Sequence, residues 1–175
     1  MRLRIGEKAK DFQIKDVTGK DIFLSNFSNR KILLSFFRYA SCPLCNLRIN
    51  QLIQHFDEFK SKDLVILAFF ESPPESIAQH VGKQQAPFSI IPDPQRIVYK
   101  LYGVESSLIG YLRGGVSRTM IKAHKAGFRI ASKDGDRYLL PADFLIENME
   151  IKEAFYGKTI SEHIPIENIY NFINS

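Results

Sequence analysis

The sequence predicts a three-layer α/β fold with a central mixed sheet. Two nearly continuous apolar runs, at 31–37 and 64–70, are typical of strands that are covered on both faces. Segments with apolar residues at helical spacing alternate with such runs, and this alternation favours helices packed around a sheet. The chain has 175 residues, of which 45% are apolar and 25% are charged, so we expect one globular domain over 1–175.

The first predicted element is an N-terminal β-hairpin. Apolar and polar residues alternate over 11–15, and an apolar run returns over 21–24. Thr18-Gly19-Lys20, which lies between them, is typical of a tight turn. The hairpin precedes the first central strand.

The central unit is predicted to be strand, helix, strand. The strands are the apolar runs at 31–37 and 64–70, and a helix over 43–60 joins them. Its apolar residues recur at helical spacing, and Pro43 suits the first helical position. The later predicted elements are helices over 73–82, 96–102, 107–126 (bent or broken at Gly114-Gly115) and 166–173, and strands over 88–91, 143–146 and 150–156.

The composition excludes several classes of protein. Fourteen phenylalanines and seven tyrosines are too many for a disordered chain. No stretch approaches the ~20 apolar residues of a membrane-spanning helix, and residues 1–8 lack the apolar core of a secretory signal. Two cysteines cannot support a multi-disulfide scaffold. We therefore expect a cytoplasmic protein without a membrane span.

The basic charge is concentrated in residues 107–137. This segment holds seven lysines or arginines against two aspartates, a balance equal to the net charge of +5 of the whole chain. A uniformly basic nucleic-acid-binding protein is therefore not indicated. Apolar residues recur every four positions in a stripe that comprises Leu108, Leu112, Val116 and Met120. We interpret the segment as a basic helical insertion, which packs on the domain with a solvated face, forms a lid or a homodimer contact, or binds a membrane or nucleic acid.

The clearest chemical motif is Cys42-Pro43-Leu44-Cys45. It lies where a buried strand ends and a helix begins. Unpaired N–H groups at a helix start stabilise a thiolate, which lowers its pKa. Arg38 and Arg48 could add positive potential, and a spacing of three residues lets the second sulfur close a disulfide with the first.

Three interpretations of this motif remain. Two inert core thiols are one, and a zinc site is another, although a single CxxC supplies only two ligands and the four histidines lack ligand spacing. A redox-active pair is favoured, because CxxC beside a βαβ pattern is typical of thioredoxin-like motifs. Glu71, after the second central strand, is a candidate for moving protons to or from a cysteine. His163 is interpreted as a lone surface histidine.

Residues 37–45, Phe-Arg-Tyr-Ala-Ser-Cys-Pro-Leu-Cys, resemble the active-site strand and helix of a known family. This family is the peroxiredoxin-like branch of the alkyl hydroperoxide reductase/thiol-specific antioxidant (AhpC/TSA) family, in the thioredoxin-like superfamily. Further segments that resemble it are 5–24, 88–94, 102–104 and 140–146. The basic segment is the least typical part of the chain.

The resemblance implies a thioredoxin-like fold with Cys42 as the attacking cysteine. In peroxiredoxins proper, a threonine lies three residues before this cysteine and a proline seven before it. Tyr39 and Ser35 occupy those positions here. Pro141 stands near the place of a late-strand arginine, and the resemblance implies a cis Leu140–Pro141 bond that faces the dithiol.

The expected function is that of a thiol-dependent oxidoreductase. Cys42 attacks a peroxide and forms a sulfenic acid that Cys45 converts to a disulfide, or it attacks a substrate disulfide and Cys45 resolves the mixed disulfide. An external dithiol such as thioredoxin restores both thiols. The cycle requires no metal, flavin or nucleotide. A non-catalytic redox sensor remains the alternative of a different class.

Overall fold

The computed structural model describes residues 1–115, 118–128 and 134–175. No helix in these ranges is long and apolar enough to cross a membrane. The strands are β1 (Gln13–Lys15), β2 (Asp21–Phe23), β3 (Lys31–Phe36), β4 (Leu64–Phe70), β5 (Ser89–Pro92), β6 (Ala142–Glu147) and β7 (Glu150–Tyr156). The α-helices are α1 (Pro43–Gln54), α2 (Phe56–Ser61), α3 (Pro74–Gln79), α4 (Ile97–Leu101), α5 (Leu108–Gly115), α6 (Arg118–Lys125) and α7 (Ile166–Ile173).

The main sheet is mixed, as the sequence predicts. Its order is β5-β4-β3-β6-β7, with β3 parallel to β4 and antiparallel to β6. The predicted N-terminal hairpin forms a separate two-stranded sheet from β1 and β2. Because β3 lies at the centre, the residues that follow it emerge in the middle of the sheet edge.

The apolar residues of β3 alternate between two cores. Ile32, Leu34 and Phe36 pack in a cluster with residues of the hairpin and α4. Leu33, with Phe37 just after the strand, packs in the second cluster, which contains residues of α1 and α7. Burial on both faces explains the continuous apolar run and produces the three layers.

The single helix predicted over 43–60 is divided at His55. This residue has φ −100° and ψ 0°, so α1 ends before it and α2 begins after it. The Nδ1 atom of His55 lies 2.9 Å from the Tyr170 hydroxyl oxygen. The apolar spacing continues through the division, so the pattern alone predicts one helix.

The helix predicted over 107–126 consists of α5 and α6. In α5 the apolar stripe does not pack against the domain. Leu108 and Leu112 are 57% and 62% exposed. Glycines face the domain instead: a Cβ at Gly110 would lie 2.7 Å from a Leu140 methyl carbon. Gly114 makes a similarly close approach, so α5 sits too near the domain for side chains on that face. Val116, Arg129 and Lys133, which the sequence assigns to this segment, lie outside the described residues.

Candidate active site

Cys42 and Cys45 lie between the end of β3 and the first turn of α1. Cys42 is the residue before the helix and Pro43 is its first residue, as predicted. The Cys42 N–H donates to the Tyr39 carbonyl (3.0 Å), and the Asn46 N–H donates to the Cys42 carbonyl (3.0 Å). Both cysteines are free thiols and both are buried.

Arg38 supplies the positive charge beside Cys42. Its Nη1 donates to Cys42 Sγ at 3.4 Å, and its side chain is buried. Its Nη2 donates to the carbonyl of Arg137, and its guanidinium lies 5.0 Å from the centroid of the Tyr39 ring. The guanidinium is therefore fixed between the thiol, an aromatic ring and the 134–137 turn.

This environment separates the pKa values of the two thiols. Burial by itself raises the pKa of Cys42. The hydrogen bond from the Cys45 thiol, the Arg38 charge and the N–H groups of Cys45 and Leu44 outweigh it, and the pKa falls to about 6. Burial and the bond to Cys42 raise the pKa of Cys45. At neutral pH the site thus holds a thiolate at Cys42 and a thiol at Cys45.

The prediction of a cis bond before Pro141 is wrong. Among the described residues no peptide bond is cis. The Leu140 N–H donates to the Glu105 carbonyl (3.0 Å), and the Pro141 carbonyl accepts from the Gly157 N–H (2.9 Å). Pro141 directly precedes β6, and a trans proline is readily accommodated at the start of a strand. The trans isomer is also the one that X–Pro bonds prefer.

Tyr39 and Ser35 stand where the resemblance implies a threonine and a proline. Burial raises the pKa of Tyr39, so its hydroxyl stays neutral beside Arg38. Ser35 Oγ donates instead to Asp143 in the neighbouring strand β6, away from the thiols. Of the two positions, only Tyr39 contacts the group that holds the thiolate.

Glu71 lies beside the site, at the end of β4. Its N–H donates to the Arg38 carbonyl (3.4 Å), and its carboxyl oxygen Oε2 is 3.8 Å from Arg96 Nη1. The other oxygen, Oε1, is buried without a hydrogen-bond partner. Burial raises the pKa of Glu71 to about 8, against the opposing charge of Arg96. Because the carboxyl is neutral at pH 7, it does not compete with the thiolate for Arg38.

Replacing Glu71 with glutamine is expected to remove a loss of stability that the wild type shows as the pH rises from 4.5 to about 8. The folded protein keeps the carboxyl protonated up to about pH 8, whereas the unfolded chain releases the proton near 4.5. The stability that depends on this proton is present below 4.5 and is lost as the pH rises to about 8. At pH 7 the difference is about 3 kcal/mol.

Urea unfolding of wild type and Glu71→Gln at pH 5 and pH 8 measures this effect. The variant should exceed the wild type in stability at pH 8 more than at pH 5. The exposed Glu75→Gln is the matched control and should follow the wild type. Parallel pH dependence of the wild type and Glu71→Gln would contradict a protonated buried carboxyl.

A polar brace around the loop before α1 was not predicted. Asn46 Nδ2 donates to the carbonyls of Ala40 (2.7 Å) and Cys42 (2.9 Å). The Ala40 N–H donates to Ser72 Oγ (2.7 Å), and that hydroxyl donates to Asp134 (2.9 Å). The contacts of Ser72 and Asp134 join segments that are distant in sequence, so no local spacing could have revealed that part of the brace.

His163 is not a lone surface histidine. Its Nδ1 lies 3.0 Å from a carboxylate oxygen of Asp143, and its side chain is 8% exposed. Phe37 lies against its ring, with centroids 4.7 Å apart. Arg48, which was expected to act on the cysteines, donates instead to the Ile164 carbonyl (2.7 Å). Of the two arginines, only Arg38 contacts Cys42.

The described residues contain no group of three or more His, Cys, Asp or Glu side chains that could hold a metal ion. The site itself presents a thiolate, a neighbouring thiol and a fixed guanidinium. The roles assigned to Cys42, Cys45, Arg38, Tyr39 and Glu71 stay predictions.

The chain is similar to known peroxiredoxins in sequence and in fold. Peroxiredoxin Bcp of Escherichia coli strain K12 is 26% identical over 118 residues, which are 66% of this chain and 76% of that protein. The crystal structure of Peroxidoxin BcpB from Mycobacterium tuberculosis has a TM-score of 0.72 at 15% identity, covering 99% of this chain and 97% of that one. The reduced 2-Cys peroxiredoxin of Plasmodium vivax has a TM-score of 0.70 at 15% identity, covering 98% and 81%.

The structural likeness confirms the predicted thioredoxin-like three-layer fold. The family resemblance is confirmed independently by sequence. The sequence model of the AhpC/TSA family matches residues 5–151, which include both cysteines, the hairpin and the basic segment. The match covers most of the chain, and the protein therefore belongs to the AhpC/TSA family.

Proposed function

We propose that the protein is a thiol-dependent peroxidase in which Cys42 is the peroxide-attacking residue and Cys45 the resolving residue. One observation carries the proposal: Cys42 Sγ lies at the start of α1 and accepts a hydrogen bond from the buried Arg38 guanidinium at 3.4 Å, an environment that lowers its pKa to about 6. A thiolate is the reactive form of cysteine. The peroxiredoxin names of its relatives support a peroxide as the substrate.

In the first step the Cys42 thiolate attacks the terminal oxygen of a hydroperoxide. The O–O bond breaks, the sulfur becomes a sulfenic acid, and the released alkoxide or hydroxide takes a proton to leave as alcohol or water. The Cys45 sulfur then displaces the sulfenic oxygen as water. A Cys42–Cys45 disulfide forms, and the peroxide has been reduced by two electrons.

An external dithiol of the thioredoxin type completes the cycle by thiol–disulfide exchange. We place this chemistry in the cytoplasm, because a reducing compartment maintains such a reductant. The homodimer contact predicted from the basic segment stays a prediction, and the molar mass of the protein in solution would test it.

A thiol–disulfide oxidoreductase is the second candidate. Tyr39 occupies the position of the peroxiredoxin threonine, and Pro141 stands near that of the arginine, so two groups associated with peroxide positioning are replaced. A disulfide substrate requires only the nucleophilic thiolate and the resolving thiol. In that reaction Cys42 forms a mixed disulfide, and Cys45 releases the reduced substrate.

A side-by-side assay separates these candidates. Reduced protein is mixed with hydrogen peroxide, an organic hydroperoxide or a small protein disulfide, each with thioredoxin, thioredoxin reductase and NADPH as the recycling system. Peroxidase function predicts that the protein raises NADPH consumption above the protein-free rate with a peroxide but not with the disulfide, which thioredoxin also reduces by itself. The reverse preference would establish the second candidate, and a single oxidation without recycling would indicate a redox sensor.

A further inference from the structure

A cavity of about 190 Å³ lies beside the dithiol helix and is separate in its lining from the two cysteines. It is formed by α1, α6 and the segment before α7. Leu44, between the cysteines, contributes to its wall. The polar side chains of its lining are Arg48, Gln51, Thr119, Ser161 and His163.

Arg48 is a buried cation without a matching anion. Its side chain is 7% exposed, and its Nε is buried without a hydrogen-bond partner. Its Nη2 donates to the Ile164 carbonyl at 2.7 Å. Among the described residues, no carboxylate lies within ion-pair distance of this guanidinium. Buried charges in proteins are normally paired.

The Nε atoms of both buried arginines near α1 lack a hydrogen-bond partner, but the two residues differ in their counter-ions. Arg38 has the Cys42 thiolate as its counter-ion. Asp143 is the carboxylate whose charge acts on Arg48. It favours the charged form of the guanidinium, although it lies beyond ion-pair distance. Asp143 is itself occupied, because it accepts hydrogen bonds from Ser35 and from the Ile164 N–H and contacts His163.

The rest of the lining also suits a negatively charged ligand. Thr119 and Ser161 carry hydroxyls that can donate to an oxygen atom. His163 uses Nδ1 in its contact with Asp143, so Nε2 is the ring nitrogen left for a ligand. No aspartate or glutamate lines the cavity. The volume admits a group of a few heavy atoms and excludes a large organic molecule.

We propose that this cavity is a binding site for a small oxyanion of the carboxylate class, with Arg48 as its counter-ion and Thr119 and Ser161 as hydroxyl donors. The bound anion supplies the negative charge that the Arg48 guanidinium lacks and accepts from the part of the guanidinium that lines the cavity. The site is independent of the proposed peroxidase activity, since it does not use either cysteine. It would place a ligand against the wall that Leu44 shares with the dithiol segment.

Titration of reduced wild-type protein with sodium acetate tests the proposal directly. The arginine Nε–H signals are followed by NMR at constant pH and ionic strength, with acetamide as the uncharged analogue. The Arg48 signal should shift and saturate with acetate and stay in place with acetamide. The Arg38 signal is the internal control and should not move, because its guanidinium already has an anion.

Calorimetry with acetate and with inorganic phosphate then compares variants. Thr119→Val and Ser161→Ala should each weaken binding about tenfold, whereas the exposed Ser61→Ala should bind as the wild type does. Arg48→Gln should abolish binding if it folds, and the first two variants decide the matter if it does not. An unmoved Arg48 signal, an equal response to acetamide, or unchanged affinity in both hydroxyl variants would overturn the proposal. Because binding is measured without turnover, failure of the proposed peroxidase function leaves this result intact.

Discussion

Replacing Cys42 with serine is expected to reduce peroxide consumption to the uncatalysed level. The thiolate is the nucleophile in the proposed reaction, and a serine hydroxyl at this place has no base to activate it. Cys45→Ser should behave differently. It should consume one equivalent of peroxide and then stop, because Cys42 is oxidised but no thiol is available to form the disulfide.

Stopped-flow peroxide consumption and intact mass distinguish these outcomes. Oxidised wild type should lose two hydrogens, whereas oxidised Cys45→Ser should gain one oxygen. Circular dichroism spectra of both variants check that the fold is kept, since both positions are buried. Multiple turnovers by Cys42→Ser, or by Cys45→Ser without an added thiol, would reverse or remove the assigned roles.

Replacing Arg38 with methionine is expected to slow the reaction of Cys42 at pH 7 by up to about thirtyfold. Arg38 lowers the pKa of Cys42, while burial opposes that effect. A thiol with a pKa of about 6 is about 90% ionised at pH 7, whereas one at the ordinary ~8.5 is only about 3% ionised. Methionine fills similar volume without the charge, so the buried thiol loses its counter-ion.

The pH dependence of alkylation by iodoacetamide measures this shift. In Cys45→Ser protein, which isolates Cys42 and puts a hydroxyl donor in place of the Cys45 thiol, the rate should rise at a pH below the ordinary pKa of a cysteine. With Arg38→Met added, the rise should move to higher pH, and Arg38→Lys should recover part of the difference because it keeps the charge. Equal profiles with arginine and methionine would show that the N–H groups of the helix start are sufficient.

The strands and helices of the fold could be predicted largely from local pattern. The apolar run of β3 and the turn-bounded strand β7 follow from residues that are adjacent in sequence. The outward orientation of α5 could not be predicted in this way. Its position depends on Gly110 and Gly114, which meet Leu140 and Ile160 from other parts of the chain. A periodicity of apolar residues indicates a helix, but it does not say which face the rest of the molecule leaves uncovered.

Only the residues of the candidate site that lie close together in the sequence could be predicted. Cys42, Cys45 and Arg38 lie within one strand end and one helix turn, so their proximity follows from sequence spacing. Asp134 acts through Ser72, a partner that the fold brings close to it. The unusual pKa of Glu71 depends on its burial, which the sequence does not state. The cis Leu140–Pro141 bond was expected from the family resemblance alone, and the bond is trans.

The closed position of Cys42 has a kinetic consequence. The side chain has no exposed surface, and the Arg38 guanidinium beside it is held by the carbonyl of Arg137. A buried sulfur reacts only in the fraction of molecules in which it is transiently exposed, so each observed rate constant is an intrinsic constant multiplied by that fraction. Because the carbonyl of Arg137 holds the guanidinium beside Cys42, we expect a sequence change in the 134–137 turn to alter the exposed fraction, and with it the rates for different oxidants together.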